Sequence, residues 1–321
     1  MNNSQSALLF PGQGAQELGM GRDLAEADSE IMDLWKKAEK ISNIPLRGLY
    51  WEGGENIDDT RRLQVALTAA NLSLWMALSR HFKPAAAAGH SLGEYSAVAA
   101  AGVLDFDSVL RLVTLRGRLM AEADPAGIGG MAALVKLTQE KAGELVDAVN
   151  AACPESKERE LRMANFNTPA QFVVSGTRQS IATLAEKARE FKGRALPLAV
   201  SGAFHSPFMA EAAKEFAQAL KKYNFSKPKF TVYCNVTGLP ETSAEGIRQR
   251  LAEQMISPVQ WILTIRNQFR AGIRCFVECG PKNILGKMVA PILEGEPGAT
   301  EGVYKAVSLS SAAELQKFRL A

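Results

Sequence analysis

With 321 residues, 47% of them hydrophobic and 22% charged, the chain can build one large domain or a large domain carrying an insertion, and its composition excludes disorder and a disulfide-stapled miniature. Lys and Arg number 37 against 34 Asp and Glu, a net charge of +3 with no long basic run, which argues against nucleic acid as a partner. No apolar run approaches the roughly 18 residues that cross a membrane and residues 1–6 are polar rather than signal-like, so no membrane partner and a cytoplasmic location are expected.

An apolar run at residues 7–10 stops at Pro11-Gly12-Gln13-Gly14 and passes into a helical pattern from about residue 16, which predicts a strand, a tight turn and a helix. Gly12 and Gly14 do not make a dinucleotide loop, because Glu17 holds the place of the third glycine and no Gly-Lys-Ser/Thr follows. Helices are predicted across much of 23–80, with a loop at Trp51-Glu52-Gly53-Gly54 and a strong helix over 64–80. Four alanines at 85–88 favour a helix by propensity, yet Gly89-His90-Ser91-Leu92-Gly93 directly after them predicts a strand. An Ala-rich helix then runs to Gly102, and another spans 106–123.

After a glycine-rich linker at 125–130 the elements shorten. Strands at 131–137, 161–165, 171–175 and 194–199, with helices at 139–150 and 180–191, give the order βαββαβ of a ferredoxin-like unit. Helices at 209–222, 246–255, 261–271 and 283–293 with strands at 229–234 and 274–278 then restore the α/β alternation. The expected architecture is a hydrolase-like α/β core with a mostly parallel sheet, residues 1–129 and 201–321, interrupted by a ferredoxin-like subdomain over 130–200, with a cleft between them. Cys153, Cys234, Cys275 and Cys279 show no CxxC spacing and are expected as reduced thiols, with no zinc site.

Gly-x-Ser-x-Gly between a strand and a helix is the nucleophile elbow, in which a strained turn lifts the serine hydroxyl clear of the backbone; alone, the pattern also fits a plain glycine-rich turn. A serine hydroxyl needs a base to take its proton, and the chain has three histidines. His90 adjoins the serine and should point away from it, and His81 sits at a helix end as a cap or surface residue. His205, in Ala203-Phe204-His205-Ser206-Pro207, is therefore preferred as the base, against a histidine that merely bonds a nearby carbonyl. In the helix over 106–123, Val109, Leu112, Val113, Leu119 and Met120 lie within about 60° of Arg116 on the helical wheel, while Arg111 and Arg118 face the other way. Arg116 thus falls in the buried stripe and needs an anion, either a carboxylate such as Glu94 or a carboxylate on the substrate.

Together these residues resemble the malonyl-CoA:acyl carrier protein transacylase family over nearly the whole chain. The likeness rests on Phe10-Pro11-Gly12-Gln13-Gly14-Ala15-Gln16, Gly89 to Tyr95, Arg116-Gly117, Gly202-Ala203-Phe204-His205-Ser206, Asn235-Val236-Thr237-Gly238 and Pro258-Val259-Gln260-Trp261. The resemblance implies that Ser91 is acylated, that His205 is the base, and that the backbone N–H groups of Gln13 and Leu92 form the oxyanion hole. It further implies that Arg116 grips the malonyl carboxylate, that Gln260 helps to orient the histidine, and that Phe204 narrows the pocket beside the substrate's α-carbon. The implied substrate is a coenzyme A thioester, the implied acceptor an acyl carrier protein, and no metal or redox cofactor is needed. The competing readings are an acyl-thioester hydrolase of the same fold, in which the Arg116 position is altered in relatives that clear stalled chains, and an inactive carrier-protein docking module.

Overall fold

The first apolar run forms β1 (Ser6–Phe10) in the computed structural model, which describes residues 5–54, 56–157 and 159–320. Every residue of β1 is buried, with Leu8 and Phe10 in one apolar core and Ala7 and Leu9 in another, so the two-residue period of the strand feeds both faces of a sheet. The strands that follow are β2 (Ala86–Gly89), β3 (Gly129–Val135), β4 (Arg162–Thr168), β5 (Gln171–Thr177) and β6 (Arg194–Pro197). They continue with β7 (Thr231–Tyr233), β8 (Pro240–Glu241), β9 (Cys275–Cys279) and β10 (Lys305–Leu309).

Among the described residues the first sheet has six strands in the order β10-β9-β1-β2-β7-β8, parallel except for the short β7–β8 pair. β2 pairs Ala86 to Gly89 with Ala7 to Phe10, and its alanines are buried as a strand although their propensity is helical. Tertiary context overrides propensity here, because the strand is enclosed between β1 and β7. The second sheet is antiparallel in the order β4-β5-β3-β6, with the helices Gln139–Ala152 and Arg178–Lys187 supplying the crossovers. That order is the ferredoxin-like arrangement expected from the sequence. Leu134, Val146 and Phe172 of this unit share a core with Leu9 and Phe276 of the first sheet and with Trp261 of the helix Trp261–Arg270.

The helix Thr60–Ser79 is a buried column behind the first sheet, started by the Asp59 carboxylate, which accepts from the N–H groups of Arg61 and Arg62. The helix Phe106–Glu122 packs against it, and Gly117 permits the close crossing: a Cβ there would stand 3.1 Å from the carbonyl oxygens of Thr60 and Arg61. Arg111 and Arg118 are exposed and Arg116 is buried, as the wheel predicts.

Several boundaries differ from the sequence reading. The helix expected at 283–293 begins only at Leu285, because Lys282 and Asn283 take left-handed backbone angles, φ 68° and 47°, that interrupt a helix. The buried Glu278 carboxylate then accepts from the N–H groups of Ile284, Leu285 and Gly286. The stretch expected as a helix from 209 opens as a short 3-10 turn, Pro207–Met209, before the helix Ala210–Leu220. β10 and the helix Ala312–Leu320 went unread, since β10 is a half-exposed edge strand without a full apolar run.

Two glycines test this packing in opposite directions. Gly93→Ala places a Cβ 1.9 Å from the Phe10 carbonyl oxygen and is expected to cost on the order of 4 kcal/mol or to prevent folding. Gly143→Ala, in the helix Gln139–Ala152 with open space around it, is expected to add about 0.5–1 kcal/mol. Chemical denaturation of the two variants measures both.

Candidate active site

Ser91 sits between β2 and the helix Gly93–Ala100 with φ 49°, a left-handed conformation unusual for a serine. The strain is held by close backbone packing. A Cβ on Gly89 would fall 1.9 Å from the Gly93 carbonyl carbon, and one on Gly12 would fall 2.4 Å from the His90 carbonyl oxygen, so the glycines of both motifs let the elbow fold tightly and touch the segment after β1. Asn235 pins the turn from β7's side: its Oδ1 accepts from the Ser91 N–H at 2.6 Å and its Nδ2 donates to the Gly89 carbonyl at 2.6 Å. The sequence reading noted Asn235 within a motif but assigned it no task.

His205 Nε2 lies 2.7 Å from Ser91 Oγ. Its Nδ1 faces two carbonyl oxygens, those of Gln254 at 3.0 Å and Ser257 at 3.1 Å. Carbonyls only accept, so Nδ1 carries the hydrogen and the Nε2 lone pair points at the serine. Burial, with the nearby Arg116 charge, holds the imidazole's pKa down to about 3. The ring is therefore neutral at ordinary pH and able to take a proton from Ser91.

The histidine's acceptors correct the expectation for Gln260. That residue precedes the helix Trp261–Arg270: its carbonyl accepts from the Thr264 N–H at 2.9 Å, its N–H donates to the Asn235 carbonyl at 2.8 Å, and no hydrogen bond joins it to His205. The acceptors come instead from the 3-10 turn Gln254–Ile256 and the residue after it: the Gln254 carbonyl, which also accepts from the Ser257 N–H at 3.3 Å, and the Ser257 carbonyl. His90 turns away from the serine as expected, its Nε2 2.8 Å from Asn167 Oδ1 and its ring edge-on to Trp261. His81 is exposed at a helix end.

Arg116 is 1% exposed, yet it forms no ion pair with any carboxylate among the described residues. Its Nη1 donates to Gln64 Oε1 at 3.0 Å, and one Nη2 donates both to Gln254 Oε1 at 2.9 Å and to Ser91 Oγ at 3.2 Å. Nε has no hydrogen-bond partner among the described residues, and the Tyr95 ring centroid lies 5.4 Å from Cζ. Burial pushes the guanidinium's pKa below its usual value. Glu94, the carboxylate expected as its alternative partner, is fully buried and turned elsewhere: it accepts from the Asn235 N–H at 3.1 Å and from Gln254 Nε2. Burial raises its pKa to about 7 against the lowering effect of those hydrogen bonds and of Arg116.

Gln254 is thus the centre of the site and was missed, because nothing in the local sequence marks it. Gln64 did carry a signal. Gln64, Thr68 and Asn71 recur at i, i+4 and i+7 in an apolar helix, a polar line facing inward.

The N–H groups of Gln13 and Leu92 have no acceptor among the described residues and belong to the two segments that meet at the elbow. A cavity of approximately 260 Å³ opens in front of Ser91, between the two sheets, lined by Gln13, Arg116, Met131, Val173, Phe204 and Met288 among others. Phe204 is 5% exposed, and its carbonyl accepts from Ser175 Oγ on β5, which ties the histidine's loop to the second sheet. The arrangement holds an activated hydroxyl, a base, two free N–H donors and a buried cation within one cavity, which suits acyl transfer from a substrate carrying a negative charge.

Comparison with known proteins agrees with this geometry. Residues 7–304 match the acyl transferase domain family. A malonyl CoA-acyl carrier protein transacylase of Haemophilus influenzae is 37% identical over 293 residues, covering 89% of this chain and 92% of that protein. A crystal structure of an acyl carrier protein S-malonyltransferase from Vibrio cholerae superposes with a TM-score of 0.88 at 33% identity, over 98% of this chain and 99% of that one. A malonyl-transacylase solved in complex with a type II PKS acyl-carrier protein gives a TM-score of 0.89 at 34% identity, over 98% of each chain. The chain belongs to the malonyl-CoA:acyl carrier protein transacylase family of acyl transferases.

Proposed function

We propose that this chain transfers the malonyl group of malonyl-CoA to the phosphopantetheine thiol of an acyl carrier protein through a malonyl-serine ester, in the cytoplasm and without a metal or redox cofactor. The observation that carries the reading is the buried guanidinium of Arg116, which lacks a carboxylate partner and lies 3.2 Å from the Ser91 hydroxyl. A substrate carboxylate brought there supplies the missing anion and places its thioester beside the serine. The names of the relatives support the substrate and the carrier protein, and the family match supports the reaction class.

In this mechanism His205 Nε2 takes the Ser91 proton as Oγ attacks the thioester carbonyl, and the oxyanion is received by the N–H groups of Gln13 and Leu92. The tetrahedral intermediate collapses, the C–S bond breaks, and the proton passes from His205 to the coenzyme A sulfur. The carrier thiol then gives its proton to His205 and attacks the ester, restoring Ser91. Enclosure of the cavity keeps water from competing. Phe204 borders the site of the substrate's α-carbon, and residues 130–200 form a subdomain whose sheet closes the cavity over a core made of residues 1–129 and 201–321. An intact Arg116 weighs against a hydrolase that clears neutral acyl chains.

Mass spectrometry of the intact protein after exposure to malonyl-CoA is expected to show one added malonyl group on the wild type and none on Ser91→Ala. Equal labelling of both would remove Ser91 as the nucleophile.

His205 is expected to stay unprotonated well below its ordinary value, so its own ionisation should put no limb on kcat/KM for transfer at pH ~6.5. Because the folded-state pKa is depressed, the unfolded chain takes up a proton that the native chain refuses, and stability from this group is lost as pH falls from ~6.5 towards 3. His205→Ala should lower kcat/KM by about two to four orders of magnitude. A rate limb centred near 6.5 that vanishes in a His205 variant would mean an imidazole far more hydrated than this one.

Arg116→Ala is expected to cost malonyl transfer about 2–5 kcal/mol while leaving acetyl transfer unchanged or improved, since acetyl-CoA brings no carboxylate. The ratio of kcat/KM for the two thioesters measures this, with thermal melts alongside. An unchanged ratio with a lowered Tm would make Arg116 a structural residue.

A further inference from the structure

Glu94 is the one fully buried carboxylate at the site, and the mechanism above gives it nothing to do. Among the donors that converge on it are the Asn235 N–H on one oxygen, the Gln254 side-chain amide on the other, and the Cys234 thiol. That same Gln254 amide nitrogen also donates to the Ser91 carbonyl at 3.0 Å, and its Oε1 accepts from Arg116 Nη2 at 2.9 Å. A carboxamide is nearly symmetric in shape, so packing alone does not decide which end faces the arginine. Reversed, its oxygen would confront the Glu94 carboxylate and the Ser91 carbonyl, while its NH2 would confront the guanidinium donors. When ionised, Glu94 only accepts, and together with the Ser91 carbonyl it disfavours that orientation.

The interposed amide has a second effect. Were Glu94 to pair directly with Arg116, the cation would be consumed by a protein carboxylate. With Gln254 between them, the negative charge balances the guanidinium at one remove and leaves its outer face to the cavity.

We propose that Glu94 is a positioning residue for malonyl recognition, acting through the Gln254 carboxamide to hold the Arg116 guanidinium ready for a carboxylate. The proposal rests on the reading of Arg116 as the malonyl-binding group. Asn235, whose N–H bonds the same carboxylate and whose side chain pins the elbow, links Glu94 to Ser91 as well. A role confined to that link would affect every acyl donor alike.

The test compares malonyl-CoA and acetyl-CoA as donors to a carrier protein in wild type, Glu94→Gln, Arg116→Ala and the double variant. A glutamine at 94 cannot accept on both sides, so either the Gln254 amide or the Asn235 N–H loses its acceptor, and Gln254 is then held with fewer partners, the Ser91 carbonyl and Arg116. Glu94→Gln is expected to lower the malonyl-to-acetyl ratio of kcat/KM about ten- to hundredfold, the worth of a hydrogen bond to a charged group, chiefly through a raised KM for malonyl-CoA. Added to Arg116→Ala, it should change the ratio no further, because the two act on one path. If Glu94→Gln melts too low to assay, Gln254→Met breaks the same relay with its volume kept and should lower the ratio likewise. A ratio that collapses in Arg116→Ala but stays unchanged in Glu94→Gln, or in Gln254→Met where that variant stands in, overturns the role of Glu94 alone. An unchanged ratio in Arg116→Ala overturns the reading of Arg116 and the role of Glu94 with it.

Discussion

A guanidinium removed from water and left without a carboxylate is costly, and the surroundings of Arg116 are organised to tolerate it. Gln64 and Gln254 offer amide oxygens, Tyr95 offers the face of a ring, and a buried carboxylate stands one side chain away. None of these neutralises the cation outright. What remains is an interior positive potential beside a serine hydroxyl, in a cavity of approximately 260 Å³. The same charge helps to hold the His205 imidazole neutral.

How far the site could be read from the chain depended on whether a task requires a particular side chain. The elbow was legible because Gly89 and Gly93 occupy places where any Cβ meets backbone, and a strained serine needs both. Arg116 was legible because helical periodicity set a charge amid apolar neighbours. His205 emerged once His90 and His81 were seen to be poorly placed, and their positions agree. The partners of His205 were not legible. Main-chain carbonyls carry no residue identity, so the expectation settled on a nearby glutamine, Gln260, whose own groups serve a helix start. Gln254 stayed hidden for the related reason that its contacts with Ser91, Glu94, Arg116 and His205 lie 49 to 163 positions away along the chain, and no local pattern records them.

The large-scale pattern was more open to reading than the edges. Alternation of strands and helices gave the parallel sheet and the βαββαβ unit, while β10, half exposed, has too little apolar content to register. The two sheets are joined where the chemistry lies. Phe166 N–H donates to the Val259 carbonyl, Val259 N–H donates to the Ala164 carbonyl, and Ser175 Oγ donates to the Phe204 carbonyl. β4 therefore braces the segment just past the histidine's acceptors, and β5 braces the loop that carries the histidine itself.

Orientation of the imidazole by two main-chain oxygens has a bearing on how this protein tolerates inherited change. An aspartate in that position is lost by a single substitution, whereas the carbonyls of Gln254 and Ser257 survive replacement of either side chain. A codon gained or lost between 254 and 260 is another matter, because it slides the oxygens along the turn and away from Nδ1. The imidazole's orientation is thus protected against misspelling and exposed to changes of length, although Gln254, whose side chain bonds Arg116 and Glu94, is not free to vary for other reasons.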